Sequence, residues 1–326
     1  LVKDDRIKNY MDFQDGLPFQ QVLENKIIQP HQVLVSSDDC FSALGGLGAL
    51  SIVLDDTKLW EVLNSGKVSF QVPETVKINL NGSLASGVFA PDVMLFLLGK
   101  LKEENLSGKA LEFSGPVMEK LPLKERVSLC HLTGKLNISA SLFPFDSAVK
   151  KYLGAGPAKS YRGVLPDPEA KYTGNFDFEL SWLEPQVAIT SPQIEVKPIG
   201  RIKKQKINWA ILGPEVGTNL EDLETAAKIL KGKKLPPEVK MMIIPASKTV
   251  YLKALKKNLI RIFLQAGCLF FYPGANSFKF FEDEKIITTC SSLFPDRAVY
   301  LASAATVAAS ALKGKISDPR EFLSLR

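Results

Sequence analysis

The chain has 326 residues, 45% apolar and 23% charged, an ordinary globular composition at a length that points to two domains. Four Cys with no CxxC pair exclude a disulfide scaffold and a zinc ribbon, and every apolar run falls short of the ~20 residues of a membrane helix, so no membrane insertion is expected. The net charge of +6 is concentrated in one stretch, Arg201–Arg261, which holds 14 Lys and Arg against 5 Asp and Glu.

Val33–Ser36 reads as a short buried strand running into Ser37-Asp38-Asp39-Cys40, with the glycine turn Gly45-Gly46-Leu47-Gly48 behind it. Asp55-Asp56-Thr57 is an N-cap signal for a helix over Lys58–Asn64. Val68–Val72 and Val76–Leu80 alternate as strands around Pro73, closed by the hairpin-type pair Asn81-Gly82. Pro91 opens an apolar helix that runs to Leu101, and a further helix covers Lys124–Leu132. From Gly154 to Gly200 the texture changes to prolines and short strand-like pieces without a long period, which reads as a surface connector.

The last third has the clearest pattern. Ile207–Leu212, Lys240–Ile244 and Cys268–Tyr272 read as strands, separated by helices over Leu220–Leu230 and Thr249–Ala266, the second ended by Gly267. An Ala-rich helix spans Val299–Leu312 and stops at Gly314. Strand–helix alternation with short loops predicts right-handed crossovers and a parallel sheet, hence an α/β fold. Ligands of such sheets bind beyond the carboxyl ends of the strands. Three loops reach that edge: Gly213–Asn219, Pro245–Lys248 and Pro273–Phe278.

These loops and several words elsewhere carry a resemblance. Ser37-Asp38-Asp39-Cys40-Phe41 with its glycine turn, Val72-Pro73-Glu74-Thr75-Val76, Asn79-Leu80-Asn81-Gly82 and Leu183-Glu184-Pro185-Gln186-Val187-Ala188 are similar to segments of the aconitase superfamily. So are Glu221-Asp222-Leu223, Pro245-Ala246-Ser247 and Tyr300-Leu301-Ala302-Ser303 through Asp318-Pro319. The chain resembles in particular the large subunit of isopropylmalate dehydratase and homoaconitase. That kinship implies α/β/α layers with mostly parallel sheets. The expected organisation is an α/β region over 1–155, truncated at its N-terminus relative to the family, a Pro-rich connector over 156–206, and an α/β/α domain over 207–326. In the family the last of these carries a [4Fe–4S] cluster on three Cys thiolates, whose open iron acts as a Lewis acid. By the same resemblance, the family's swivelling domain is expected to be absent from this chain, as in split enzymes.

Judged by the same resemblance, the catalytic groups are replaced. Glu215 stands where the first cluster thiolate belongs, and Ala275 and Phe278 stand at the other two. Methyl and phenyl groups offer iron no donor, and a lone carboxylate is a poor match for a soft, sulfide-rich cluster. Cys40 occupies the place of a catalytic His, Asp39 that of a Ser, and an upstream His falls near Phe19. Asp38, Ser247 and Arg297 are retained, with Lys248 in place of an Arg. The four remaining thiols read as structural, the Gly45–Gly48 turn as close packing rather than a phosphate cradle, and Asp38, Asp39 and Glu215 as turn and cap carboxylates.

The resemblance and these losses together imply a catalytically inactive family member without cofactor or metal, serving as a structural or regulatory subunit bound to protein partners in a larger assembly. The mitochondrial matrix is the favoured compartment. Two alternatives stand beside it. One is a cluster-free hydro-lyase or di- or tricarboxylate-binding protein that uses Asp38, Ser247, Lys248 and Arg297, in a residual pocket that also holds Asp39 and Cys40. The other is RNA or partner binding through a basic patch of Lys203, Lys204, Lys206, Lys253, Lys256 and Lys257, against which stands the lack of interleaved aromatic residues.

Overall fold

The computed structural model describes residues 10–12, 15–133, 136–154, 164–202, 205–214, 218–275, 278–290, 292–294 and 297–323. Helix α1 (Pro18–Glu24) begins at a proline, whose missing N–H is harmless in a first turn. The parallel pair β1 (Val33–Ser36) and β2 (Leu50–Val53) brackets a 3₁₀ run, Asp39–Leu47, and leads to α2 (Asp56–Ser65). Then come β3 (Thr75–Asn81), α3 (Ala90–Leu101), β4 (Ala110–Ser114), α4 (Pro116–Lys120) and α5 (Leu123–Thr133). The chain continues through β5 (Ala140–Leu142), α6 (Ser147–Leu153), β6 (Gly174–Glu179), β7 (Gln186–Ile189) and β8 (Glu195–Pro198). The last third holds β9 (Trp209–Leu212), α7 (Leu220–Leu230), β10 (Lys240–Ile243), α8 (Lys248–Lys256), α9 (Leu259–Ala266) and β11 (Leu269–Phe270). It ends with β12 (Ile286–Thr288), β13 (Tyr300–Ala302) and α10 (Ala304–Lys313).

The chain forms two compact units. The central unit comprises Lys26–Ala188 and Ile194–Gly200. Its sheet runs β5-β4-β3-β6 with every pair parallel. In β3 the alternate residues Val76, Ile78 and Leu80 are buried, and they meet Val93, Met94, Leu97 and Leu101 of α3 in one core. Asp92, fully buried in the first turn of α3, is satisfied by the N–H groups of Phe89 and Gln186, both at 2.9 Å. The 3₁₀ run lies tight against α5 and β5: a Cβ on Gly45 would stand 1.7 Å from the Ser141 carbonyl oxygen. Close packing therefore accounts for a glycine there.

The second unit joins the described residues up to Asn25, Ile189–Gln193 and those from Arg201 onward. Its strands run in the order β11-β10-β9-β12-β13, again parallel. The α/β class and the parallel sheets expected from the pattern are the ones observed. Helix α10 packs on α7 and β9 through Ala305, Ala308, Ala309 and Ala311, all buried, and ends at Gly314 in the left-handed conformation.

Several elements differ from the expectation. Val68–Val72 forms no strand; Val72 is 83% exposed and its alternation finds no partner. Asn81-Gly82 closes no hairpin, because both neighbours of β3 run parallel to it. The helix expected over Thr249–Ala266 is two, broken at Asn258, which takes φ +62°. The strand expected over Cys268–Tyr272 shrinks to Leu269–Phe270, and the N-terminal end of the Ala-rich segment is strand β13. The stretch 156–206 carries β6, β7 and β8, the first of them paired with β3.

Candidate functional site

At the carboxyl edge of the second unit's sheet, β9 runs into Gly213, which has a φ of +113° and lies close to Ile244 at the end of β10. A Cβ there would lie 2.1 Å from the Ile244 carbonyl oxygen, so only glycine fits. Its N–H donates to Thr289 Oγ1 at 3.0 Å, tying the β9 loop to the end of β12. Glu215, the next residue of interest, lies outside the described residues, as do Lys203 and Lys204.

The loop after β10 delivers Ser247 and Lys248, and both are engaged by the N-terminal segment. Ser247, fully buried, donates from Oγ to Glu24 Oε1 at 2.6 Å and accepts the Val250 N–H at 3.1 Å, which caps α8. The Lys248 ammonium pairs with Asp15 at 3.1 Å across an exposed surface. The Leu17 N–H donates to the Ala246 carbonyl, and Phe19 is buried at 2% exposure. Asp15 and Glu24 were not singled out in the sequence, since a contact spanning 223 residues has no local signature. Ser247→Ala is expected to destabilise by about 2 kcal/mol, combining a lost cap with a lost hydrogen bond to a carboxylate. Glu24→Gln should cost less, because an amide oxygen still accepts; equilibrium urea unfolding of both variants checks the order.

The loop after β11 holds Pro273, buried, and Ala275, half-buried. Beyond it Phe278 enters a cluster of rings. Its ring meets Phe271 edge to face at 5.2 Å between centroids and Phe280 at 6.5 Å; Phe280 in turn contacts Trp209 and Phe294, each at 5.3 Å. These rings pack on Ile211, Met242 and Ile286 of the sheet. Arg297 turns its guanidinium onto the backbone carbonyls of Glu282 and Glu284, where it ties the β12 approach to the loop before β13.

In the central unit, the Asp38, Asp39 and Cys40 ligand atoms all lie within 4.8 Å of one another. Asp38 accepts the Cys40 N–H at 2.9 Å and caps the 3₁₀ run, the turn role expected of it. Among the described residues no three of the four thiols converge. Burial pushes the Cys130 and Cys268 thiols up to about 12, which leaves them protonated and inert. Of the basic patch, Lys206, Lys253, Lys256 and Lys257 are all exposed, and Lys257 is paired with Glu224 of α7.

A family profile for the aconitase family (aconitate hydratase) matches residues 5–199 and 191–314. The chain belongs to the aconitase family. It is 31% identical over 335 residues to 3-isopropylmalate dehydratase large subunit 1 of Methanopyrus kandleri, covering 99% of this chain and 80% of that protein. It is 35% identical over 316 residues to large subunit 2 of Archaeoglobus fulgidus, covering 93% and 76%. A probable methanogen homoaconitase large subunit of Methanosarcina mazei is 33% identical over 332 residues, with 98% and 84% covered. These relatives are large subunits by name. No described helix of this aconitase-family chain is long and apolar enough to cross a membrane.

The iron–sulfur cluster that the family implies needs soft, deprotonated sulfur donors. Ala275 presents a methyl group, Phe278 sits in an apolar ring cluster, and two of the four thiols are held protonated by burial. The residues present do not fit the group.

Proposed function

We propose that this aconitase-family chain keeps the fold without the dehydratase chemistry and acts as a structural or regulatory subunit bound to protein partners, with the mitochondrial matrix as its compartment. The observation that carries the reading is Phe278. At the position that the family resemblance assigns to a cluster thiolate stands a half-buried ring, held by two other rings against the hydrophobic core of the second unit. Folding rests on many such contacts, whereas the family's reaction rests on a few donors, so one is retained as the other goes. The large-subunit relatives support a protein partner.

The same geometry weighs against the carboxylate-binding alternative. Ser247, Lys248 and Arg297, expected to receive a carboxylate, are directed to Glu24, Asp15 and backbone carbonyls. The test is anaerobic purification followed by iron and sulfide determination, sizing, and a thermal-shift screen of di- and tricarboxylates. The expected result is a colourless protein without stoichiometric iron, unshifted by the acids and co-migrating with other chains from its native source. A brown preparation that dehydrates isopropylmalate overturns the reading, and a clear shift with a dicarboxylate replaces it by the binding one.

A further inference from the structure

The segment Lys248–Ala266 has five basic residues and no acidic one. Its amphipathic pattern runs unbroken, yet the backbone turns at Asn258, one of few residue types that tolerate a left-handed φ. The ion pair between Lys257 and Glu224 holds the turn to α7. The corner so formed opens a groove of about 430 Å³, lined by Leu255, Asn258, Ile260, Arg261, Leu264 and Gln265. Leu255 and Leu264 are 55% and 58% exposed, and Leu252, one turn earlier on α8, is 48% exposed. Scattered surface leucines are ordinary, but leucines gathered along one concave furrow mark a binding surface. Around it Lys253, Lys256 and Arg261 are exposed and make no ion pair with any described residue.

We infer that the α8–α9 corner is a docking groove for an amphipathic helix of a protein partner, its apolar side seated on Leu255, Ile260 and Leu264 and its flanks carrying Asp or Glu. This mode needs apolar anchors at i, i+3, i+4 and i+7 on the ligand and a matching furrow on the receptor. The charge selects the partner. A second copy of the chain would set basic rim against basic rim, which like-charge repulsion disfavours. RNA would bring phosphates to the rim but leave an aliphatic floor with no stacking platform; the nearby Tyr251 ring is already turned to Phe270 at 5.7 Å. A lipid surface takes a convex apolar stripe rather than a furrow. The inference deepens the scaffold reading and rests on it for the existence of a partner.

The test titrates the full chain into a dye-labelled synthetic helix with leucines at those spacings and glutamates on both flanks. Micromolar binding is expected, weakened at least about tenfold by Lys253→Glu with Lys256→Glu and Arg261→Glu, and similarly by Leu255→Ser with Leu264→Ser. These exposed substitutions should leave the thermal midpoint near its original value, and the charge-reversed protein should gain binding to a lysine-flanked version of the peptide. Absence of binding, indifference to both sets of variants, or tighter and equally variant-sensitive binding of polyuridine or anionic vesicles overturns the inference. A photo-crosslinker at Leu264 in the native assembly separates the two proposals. Crosslinks to an acidic helix of a companion chain support the groove; a companion crosslinked only elsewhere overturns it and leaves the scaffold reading standing. A chain with no companion strikes the scaffold reading, and the peptide titration then decides the groove by itself.

Discussion

Arg126→Met is expected to cost about 4 kcal/mol, the scale for removing one partner of a buried charge pair, and to lower the unfolding midpoint by roughly 10 °C. Arg126 lies on α5 at 1% exposure. Its guanidinium donates to the Leu121 carbonyl at 3.0 Å, the Met118 carbonyl at 2.9 Å and Asp146 Oδ2 at 2.5 Å. Methionine matches much of the volume but leaves two carbonyls unpaired and an anion without its counter-charge. Asp146 matters in its own right, because it caps α6 through the Ala148 and Val149 N–H groups. Burial pushes its carboxyl up, but the Arg126 hydrogen bond and charge and the two cap bonds outweigh that and hold it below the ordinary 3.8. A depressed folded-state value contributes stability at pH above 3.8, lost as pH falls through the lower folded value. Arg126→Met should therefore bring acid unfolding on at higher pH, and Asp146→Asn, which keeps an acceptor for the cap but leaves the buried guanidinium without its counter-charge, should cost a comparable amount. Circular dichroism melts across an acid series measure both effects. A loss no larger than the ~0.5 kcal/mol of an ordinary surface substitution would sink the assignment.

Much of this fold was legible because its local signals agree with its tertiary contacts. The expected helix over Leu220–Leu230 is the observed α7, since Asn219 caps it and an acidic first turn suits its dipole. Pro91 marked the start of α3, and the parallel sheet followed from strand–helix alternation. What was hidden depends on contacts distant in sequence. Nothing in Leu255–Ile260 announces a break, because Asn is tolerated inside helices as well as in the left-handed turn it takes here. Val68–Val72 has the alternation of a strand, but pairing needs a neighbour and none is supplied. The same limit governs the site. The family resemblance singled out Glu215, Ala275 and Phe278, while the ties of Ser247 to Glu24 and Lys248 to Asp15 come from α1 and the turn before it. A candidate residue was thus visible in sequence, and its partner was not.

Thiols placed at the three positions that the family resemblance assigns to cluster ligands should not assemble a cluster. In a chain carrying Glu215→Cys, Ala275→Cys and Phe278→Cys, reconstitution with iron and sulfide is expected to give no stable charge-transfer absorbance, because the change at Phe278 removes more than a blocked ligand position. Phe278 joins Phe271 to Phe280, and through Phe280 the cluster reaches Trp209 and Phe294. Replacing the ring by a thiol deletes most of its buried carbon and leaves a void that the close-packed sheet face cannot fully close. Phe278 is half-buried, so the cost should be about 2–3 kcal/mol, below the full range for a core phenylalanine. Phe278→Leu, which keeps an apolar filler, should cost about 1 kcal/mol and calibrates the packing contribution. Urea unfolding of the single and triple variants measures the loss, and absorbance with iron determination reads reconstitution. A triple variant that binds iron stoichiometrically at undiminished stability would mean that the cradle survives beneath the ring and that this position is a simple vacancy. If the stability drops as expected and no iron is held, the ring is structural, and a sulfur ligand at this position comes only with weakened packing.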